Sequence, residues 1–163
     1  MPFSLNDPAL MREMILDHYQ NPRNYKTVTD PSYIDIHMDS ASCIDDIYIQ
    51  VKIENNIITD CKWHGKGCAI SMASTSIMSE LILNMTIDQA KEVMAEFNKM
   101  LAGETFDEDK LGEAVCFQRV NNQPSRITCA NISWRGLQKA FLEEEKKEHE
   151  PLPEKEEDSL SFN

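Results

Sequence analysis

Two different periods of apolar and polar residues run along this chain, and the change from one to the other divides it. Ile34, Ile36 and Met38 alternate with Asp35 and His37, and Ile47, Ile49, Val51 and Ile53 alternate with Asp46, Tyr48, Gln50 and Lys52. A period of two sends successive side chains to opposite faces, so each stretch predicts a half-buried strand. Asn55-Asn56 predicts the hairpin turn after the second, because asparagine tolerates positive φ. Ile57, Thr59, Cys61 and Trp63 continue the pattern as a third strand.

On either side of the strands the apolar positions recur at three and four. Asp7 before Pro8 predicts a helix start, a capping carboxylate followed by a residue that has no N–H to lose. Leu10, Met11, Met14, Ile15 and Tyr19 then share a face until Asn21-Pro22 ends the helix. After Gly65-Lys66-Gly67, Ile70, Ala73, Ile77 and Leu81 repeat at helical spacing. Thr86 with Gln89 predicts a capping box, with Ala90, Val93, Met94, Phe97 and Leu101 behind it and Gly103 closing the helix. A short helix is expected over Leu111–Phe117, and a last one from near Cys129 carrying Ala130, Trp134, Leu137 and Phe141. Strands first and helices afterwards is an α+β order. The expected fold is a single α+β domain, a three-stranded antiparallel sheet with helices packed on one face.

Charge changes the picture at one end. The 163 residues carry Lys+Arg 16 against Asp+Glu 28, a net charge of -12. Half of that imbalance lies between Glu143 and Asp158, where nine acidic residues meet three lysines and almost no apolar side chain. Such a stretch buries too little surface to order itself. The expected division is a domain over 1–149, with Glu143–Glu148 extending its last helix, and a solvated acidic tail over 150–163. An acidic balance argues against nucleic acid as a partner, because phosphate binding needs a basic surface. No apolar run is long enough to span a membrane, and MPFSLNDPAL lacks the basic start and apolar stretch of a signal peptide. A cytoplasmic protein is expected.

Five cysteines in a reducing compartment point to metal or thiol chemistry, or to burial, rather than to disulfides. Cys61 inside a strand and Cys116 inside an amphipathic helix read as small buried hydrophobes. Cys43, Cys68 and Cys129 fall at boundaries between elements: a turn between strands, the end of the Gly-Lys-Gly loop, and the expected start of the last helix. A helix N-terminus favours thiolate over thiol, and Lys66 and Arg126 stand close by. Asp45, two residues beyond Cys43, suggests a fourth ligand. Three thiolates and a carboxylate suit four-coordinate zinc, and the same set is open to ferrous iron or a small iron–sulfur cluster. Three unrelated buried cysteines are the plainer alternative, since no C-x-x-C pair occurs. Of the histidines, only His64 lies near these positions.

Several separated stretches are recognisable. Asp17-His18-Tyr19 with Asn21-Pro22-Arg23-Asn24 resembles the N-terminal motif of the IscU/SufU-type iron–sulfur assembly proteins. Cys43-x-Asp45, Gly65-x-Gly67-Cys68-Ala69-Ile70-Ser71, Leu111-Gly112-Glu113-Ala114 and Arg126-Ile127-x-Cys129-Ala130 with Trp134 are similar to later parts of the same family, the longer second half to its SufU branch. The resemblance implies zinc held by Cys43, Asp45, Cys68 and Cys129. It also implies persulfide sulfur accepted on Cys43 from a PLP-dependent cysteine desulfurase of the SufS type, the thiol being freed when a partner histidine replaces it on zinc. Downstream iron–sulfur assembly components would follow. A scaffold for a nascent cluster is the alternative role. Two positions depart from the pattern: Ile44 where relatives commonly have glycine, and Thr128 where IscU relatives carry histidine and SufU relatives usually lysine. The missing histidine argues against IscU-like cluster building.

Overall fold

The structure is a computed structural model that describes residues 7–40 and 44–149. Helix α1 (Pro8–Gln20) starts where the sequence places it, with the Asp7 carboxylate accepting from the Ala9 N–H. Strands β1 (Ile34–Asp39), β2 (Asp46–Glu54) and β3 (Ile57–Lys66) form an antiparallel sheet in the order β1-β2-β3. Asn55 and Asn56 turn β2 into β3 with φ of 53° and 67°. Two successive positive φ values match the right-handed twist of a hairpin.

Each cross-strand row reaches one side of the sheet. Ile36, Ile49 and Trp63 face inward together, as do Ile34, Val51 and Cys61. His37, Tyr48 and His64 form an outer row, their rings stacked with centroids 4.2 Å and 4.8 Å apart. The third strand departs from the expected alternation at its start. Lys52 faces Asp60 and Ile53 faces Ile58, so Thr59 is an extra residue on β3. This bulge turns Ile58 into the core and leaves Ile57 and Thr59 outside, and the inward set is Ile58, Cys61 and Trp63.

Helices cover the inner face. α2 (Ala69–Leu81) lies centrally against α1, β3 and α5, and α5 (Pro124–His149) lies across β1 and β2. Close approach of α5 depends on Gly136, where a Cβ would stand 2.7 Å from Ile49 Cδ1 and 2.9 Å from Met38 Cγ. α3 (Ile87–Leu101) carries the capping box of Thr86 and Gln89, and its Phe97 stacks on Trp134 of α5 at 4.2 Å.

Three details differ from the sequence reading. The expected helix over Leu111–Phe117 is α4 (Glu108–Leu111) followed by a 3₁₀ segment, Gly112–Asn122. The last helix begins at Pro124, five residues before Cys129, because a proline with preset φ is already suited to the first helical position. On α1, Tyr19 is 41 % exposed, and His18 is buried along with Met11. Ser76 and Glu113 bond the two ring nitrogens of His18, which removes the usual cost of burying an imidazole. Helix α5 includes 143–148 as expected, while the acidic tail, 150–163, lies outside the described residues. Among the described residues no helix is long and apolar enough to cross a membrane.

Candidate metal centre

Four hydroxyl side chains of α2, buried at a helix centre where apolar residues are the norm, tie the surrounding elements together. Ser71 donates to Asp45 Oδ1 at 2.8 Å. Ser74 donates to the Ala130 carbonyl at 2.7 Å and accepts from Trp134 Nε1 at 3.0 Å. Ser76 accepts from the Arg23 N–H, and Ser79 accepts from the Asn24 amide. Such bonds remove the penalty of burying a hydroxyl and set the position of each neighbour along α2. The Ser74 bonds in particular place the second turn of α5 beside the second turn of α2.

That placement brings three of the sequence-predicted residues together. Asp45 Oδ, Cys68 Sγ and Cys129 Sγ all lie within 4.8 Å of one another. Asp45 is only 2 % exposed, and its Oδ1 accepts from the Cys68 N–H at 3.1 Å as well as from Ser71. Cys68 caps α2, its sulfur accepting from the Ser71 N–H at 3.4 Å. This is the helix N-terminus the sequence predicted for it. Cys129 is a correction: it sits inside α5 with its Sγ 3.6 Å from the Ser125 carbonyl, so the helix dipole does not act on it as expected. Cys43 lies outside the described residues. A bond from the Ser40 N–H to the Asp45 carbonyl, 3.3 Å, links the described residues on either side of it.

Glycine makes the approach possible. A Cβ on Gly67 would stand 2.3 Å from Ser71 Oγ and 2.7 Å from Asp45 Oδ1, so no other residue leaves room for this carboxylate. Gly65, with φ +117°, would bring a Cβ to 2.2 Å from the Asp46 carbonyl. Thiolates held about 2.3 Å from a tetrahedral zinc stand about 3.8 Å apart, a spacing inside the 4.8 Å within which the two sulfurs lie. A carboxylate and two sulfurs gathered at a buried point are a donor set for a cation, because the charges would otherwise repel in a poorly solvated place. His64, expected near the site, stacks on Tyr48 and is not one of the converging groups. Arg12, Arg119 and Arg126, with Ile70 of α2, line a cavity of about 320 Å³, a basic patch in an acidic chain.

The remaining cysteines behave as the pattern predicts. Cys61 is fully buried, and burial pushes its thiol up to about 12. Burial likewise raises Cys116 well above the usual thiol range. Both stay protonated and unreactive at neutral pH. Alkylation of the native protein with iodoacetamide at pH 8, followed by peptide mass spectrometry, is expected to modify Cys68 and to spare Cys61 and Cys116. Denaturant should make all of them react.

Fold and site together define a small α+β protein with a thiol-and-carboxylate centre at the junction of a loop and two helices. Its sequence matches the model of the NifU-like N-terminal domain over residues 10–130. The chain therefore belongs to this family, among the SufU- and IscU-type iron–sulfur cluster assembly proteins. It is 38% identical to the zinc-dependent sulfurtransferase SufU of Bacillus subtilis, covering 89% of this chain and 98% of that one. Identity to the iron–sulfur cluster assembly scaffold protein IscU of Thermotoga maritima is 34%, over 79% of this chain and 90% of that one. Among solved structures, a putative SUF-system scaffold protein from Fervidobacterium islandicum has TM-score 0.74 at 32% identity, covering 77% of this chain and 92% of that one. A NifU-like N-terminal domain from Brucella abortus, TM-score 0.78 at 19% identity, covers 88% of this chain and 99% of that one and shares the fold.

Proposed function

We propose that this chain is a zinc-dependent sulfur acceptor that takes persulfide sulfur from a PLP-dependent cysteine desulfurase of the SufS type, in the cytoplasm, and passes it to downstream iron–sulfur assembly components. The observation that carries this reading is the convergence of Asp45, Cys68 and Cys129, with Cys43 two residues before Asp45 in the sequence. Cys43, Asp45, Cys68 and Cys129 are the residues that would hold zinc. When bound, the ion supplies the positive charge that keeps thiols deprotonated at neutral pH.

The chain's own residues account for the rest. Ser71 and the Cys68 N–H hold Asp45 in place, and the cap bond from Ser71 N–H holds Cys68. Cys43 is the thiol proposed to take the sulfur; it stands in the sequence between β1 and β2, whereas Cys68 caps α2 and Cys129 lies within α5. As a thiolate it attacks the outer sulfur of the desulfurase persulfide. The new S–S bond forms as the old one breaks, and the electron pair leaves with the desulfurase cysteine, so no outside oxidant is needed. Likeness to the Bacillus subtilis sulfurtransferase supports this order of events.

The test is incubation with a SufS-type desulfurase, cysteine and PLP. Cys43 is expected to gain one sulfur by mass spectrometry, and desulfurase turnover to rise. Equal turnover with Cys43→Ala and with wild type would refute the sulfur-acceptor role. Likeness to the Thermotoga maritima scaffold favours a second reading, a protein that holds a nascent cluster. Anaerobic reconstitution giving a stable, visible-absorbing cluster that requires Cys43, Cys68 and Cys129 would decide for it.

A further inference from the structure

A second group of ligand atoms converges far from the thiols. His18 on α1, Glu80 near the end of α2 and Glu113 in the 3₁₀ segment bring a ring nitrogen and two carboxylate oxygens within 4.8 Å of one another. Glu80 lies twelve positions beyond the helix cap Cys68, which puts the two groups about 18 Å apart along α2. We propose that His18, Glu80 and Glu113 form a second divalent-cation site, selective for ions that prefer oxygen and nitrogen donors, such as Mn²⁺ or Fe²⁺.

The imidazole is built in rather than drifting on the surface. His18 is 1 % exposed, and its Nδ1 lies 2.8 Å from Ser76 Oγ, a partner outside the group of three. Ser76 Oγ also accepts from the Arg23 N–H at 2.9 Å and has a second lone pair for Nδ1–H. The ring is thereby oriented with Nε2 turned toward Glu113, 2.9 Å away. A hydrogen bond on one ring nitrogen that aims the other at a metal is the usual support of a ligating histidine. Both carboxylates reach solvent, so an ion has a path in and room for waters to complete its coordination.

Charge favours an ion here despite one neighbouring cation. Arg23 is tied to Asp17 by a 2.7 Å ion pair, and its guanidinium is held above its usual pKa by Asp17 first and by Glu80 and Glu113 less strongly. One arginine shared among three carboxylates leaves the pair Glu80 and Glu113 negative. Donor chemistry separates the two sites: two sulfurs and a carboxylate suit zinc, whereas one imidazole and two carboxylates suit harder ions.

The test is a titration of zinc-loaded protein with Mn²⁺, followed by the loss of the free-ion signal in electron paramagnetic resonance. Wild type is expected to take up one Mn²⁺ per chain, with nitrogen modulation from a directly bound imidazole in the echo spectrum. Glu80→Gln with Glu113→Gln, both at exposed positions, should weaken uptake by about tenfold or more. Glu104→Gln, at an exposed glutamate outside both groups, should leave it unchanged. Uptake equal in the double glutamine variant and wild type, uptake lost with Glu104→Gln, no imidazole signature, or no uptake at millimolar Mn²⁺ would each overturn the second site. None of these outcomes bears on sulfur acceptance at Cys43, so the two proposals stand or fall separately.

Discussion

Asp45→Ala is expected to cost the protein its metal: zinc retained through desalting should fall by about two orders of magnitude, and sulfur acceptance with it. Two losses combine in this substitution. The anionic donor disappears from a group in which the remaining ligands are thiolates, and the Cys68 N–H and the Ser71 hydroxyl lose their acceptor. A buried donor left without a partner costs about 1–3 kcal/mol. Asp45→Asn separates the two effects, because the amide oxygen keeps the hydrogen bonds while the charge is gone. The metal-free asparagine variant should melt close to metal-free wild type, and the alanine variant well below both. Metal analysis beside thermal unfolding is the measurement. Full zinc retention by Asp45→Ala would remove Asp45 from the ligand set.

Gly67→Ala is expected to disrupt the same centre from the other side. Its methyl group would stand 2.3 Å from Ser71 Oγ and 2.7 Å from Asp45 Oδ1, and neither can retreat far. Ser71 is fixed on α2, and Asp45 is buried at 2 % exposure. Overpacking of this kind typically costs about 1–3 kcal/mol. Asp45 is the side chain that gives way, so zinc affinity should drop by about tenfold or more while helix content by circular dichroism stays at the wild-type level. Ser71→Gly in the Gly67→Ala background reopens the space and should recover part of the affinity. Failure of the second change to recover any would mean that the glycine acts through the loop backbone instead.

Most of the frame was legible because its signals are local. The strands show in strict alternation, the hairpin in Asn55-Asn56, the third helix in the reciprocal Thr86–Gln89 bonds, and the inert thiols in Cys61 and Cys116 at apolar positions. Each of these depends on residues within a turn or two of chain. The bulge at Thr59 was not legible, because it is a property of two strands paired together and of which isoleucine the core accepts. Nor was the start of α5: Pro124 is a good first residue, but the apolar repeat that marks the helix begins later.

The candidate site divides along the same line. Sequence by itself determined which residue types stand at its boundaries, that Cys68 opens a helix behind a Gly-Lys-Gly loop, and that Asp45 follows Cys43 at a spacing a turn can serve. Only the tertiary structure decided that Cys129, 61 positions beyond Cys68 and inside a helix, meets Cys68 and Asp45, and that His18 leaves the surface to face two glutamates. The physical reason is the helix that joins both places. The hydroxyls of α2 are satisfied by partners from four other segments, and a residue's use of a distant hydrogen-bond partner leaves no trace in its own neighbourhood.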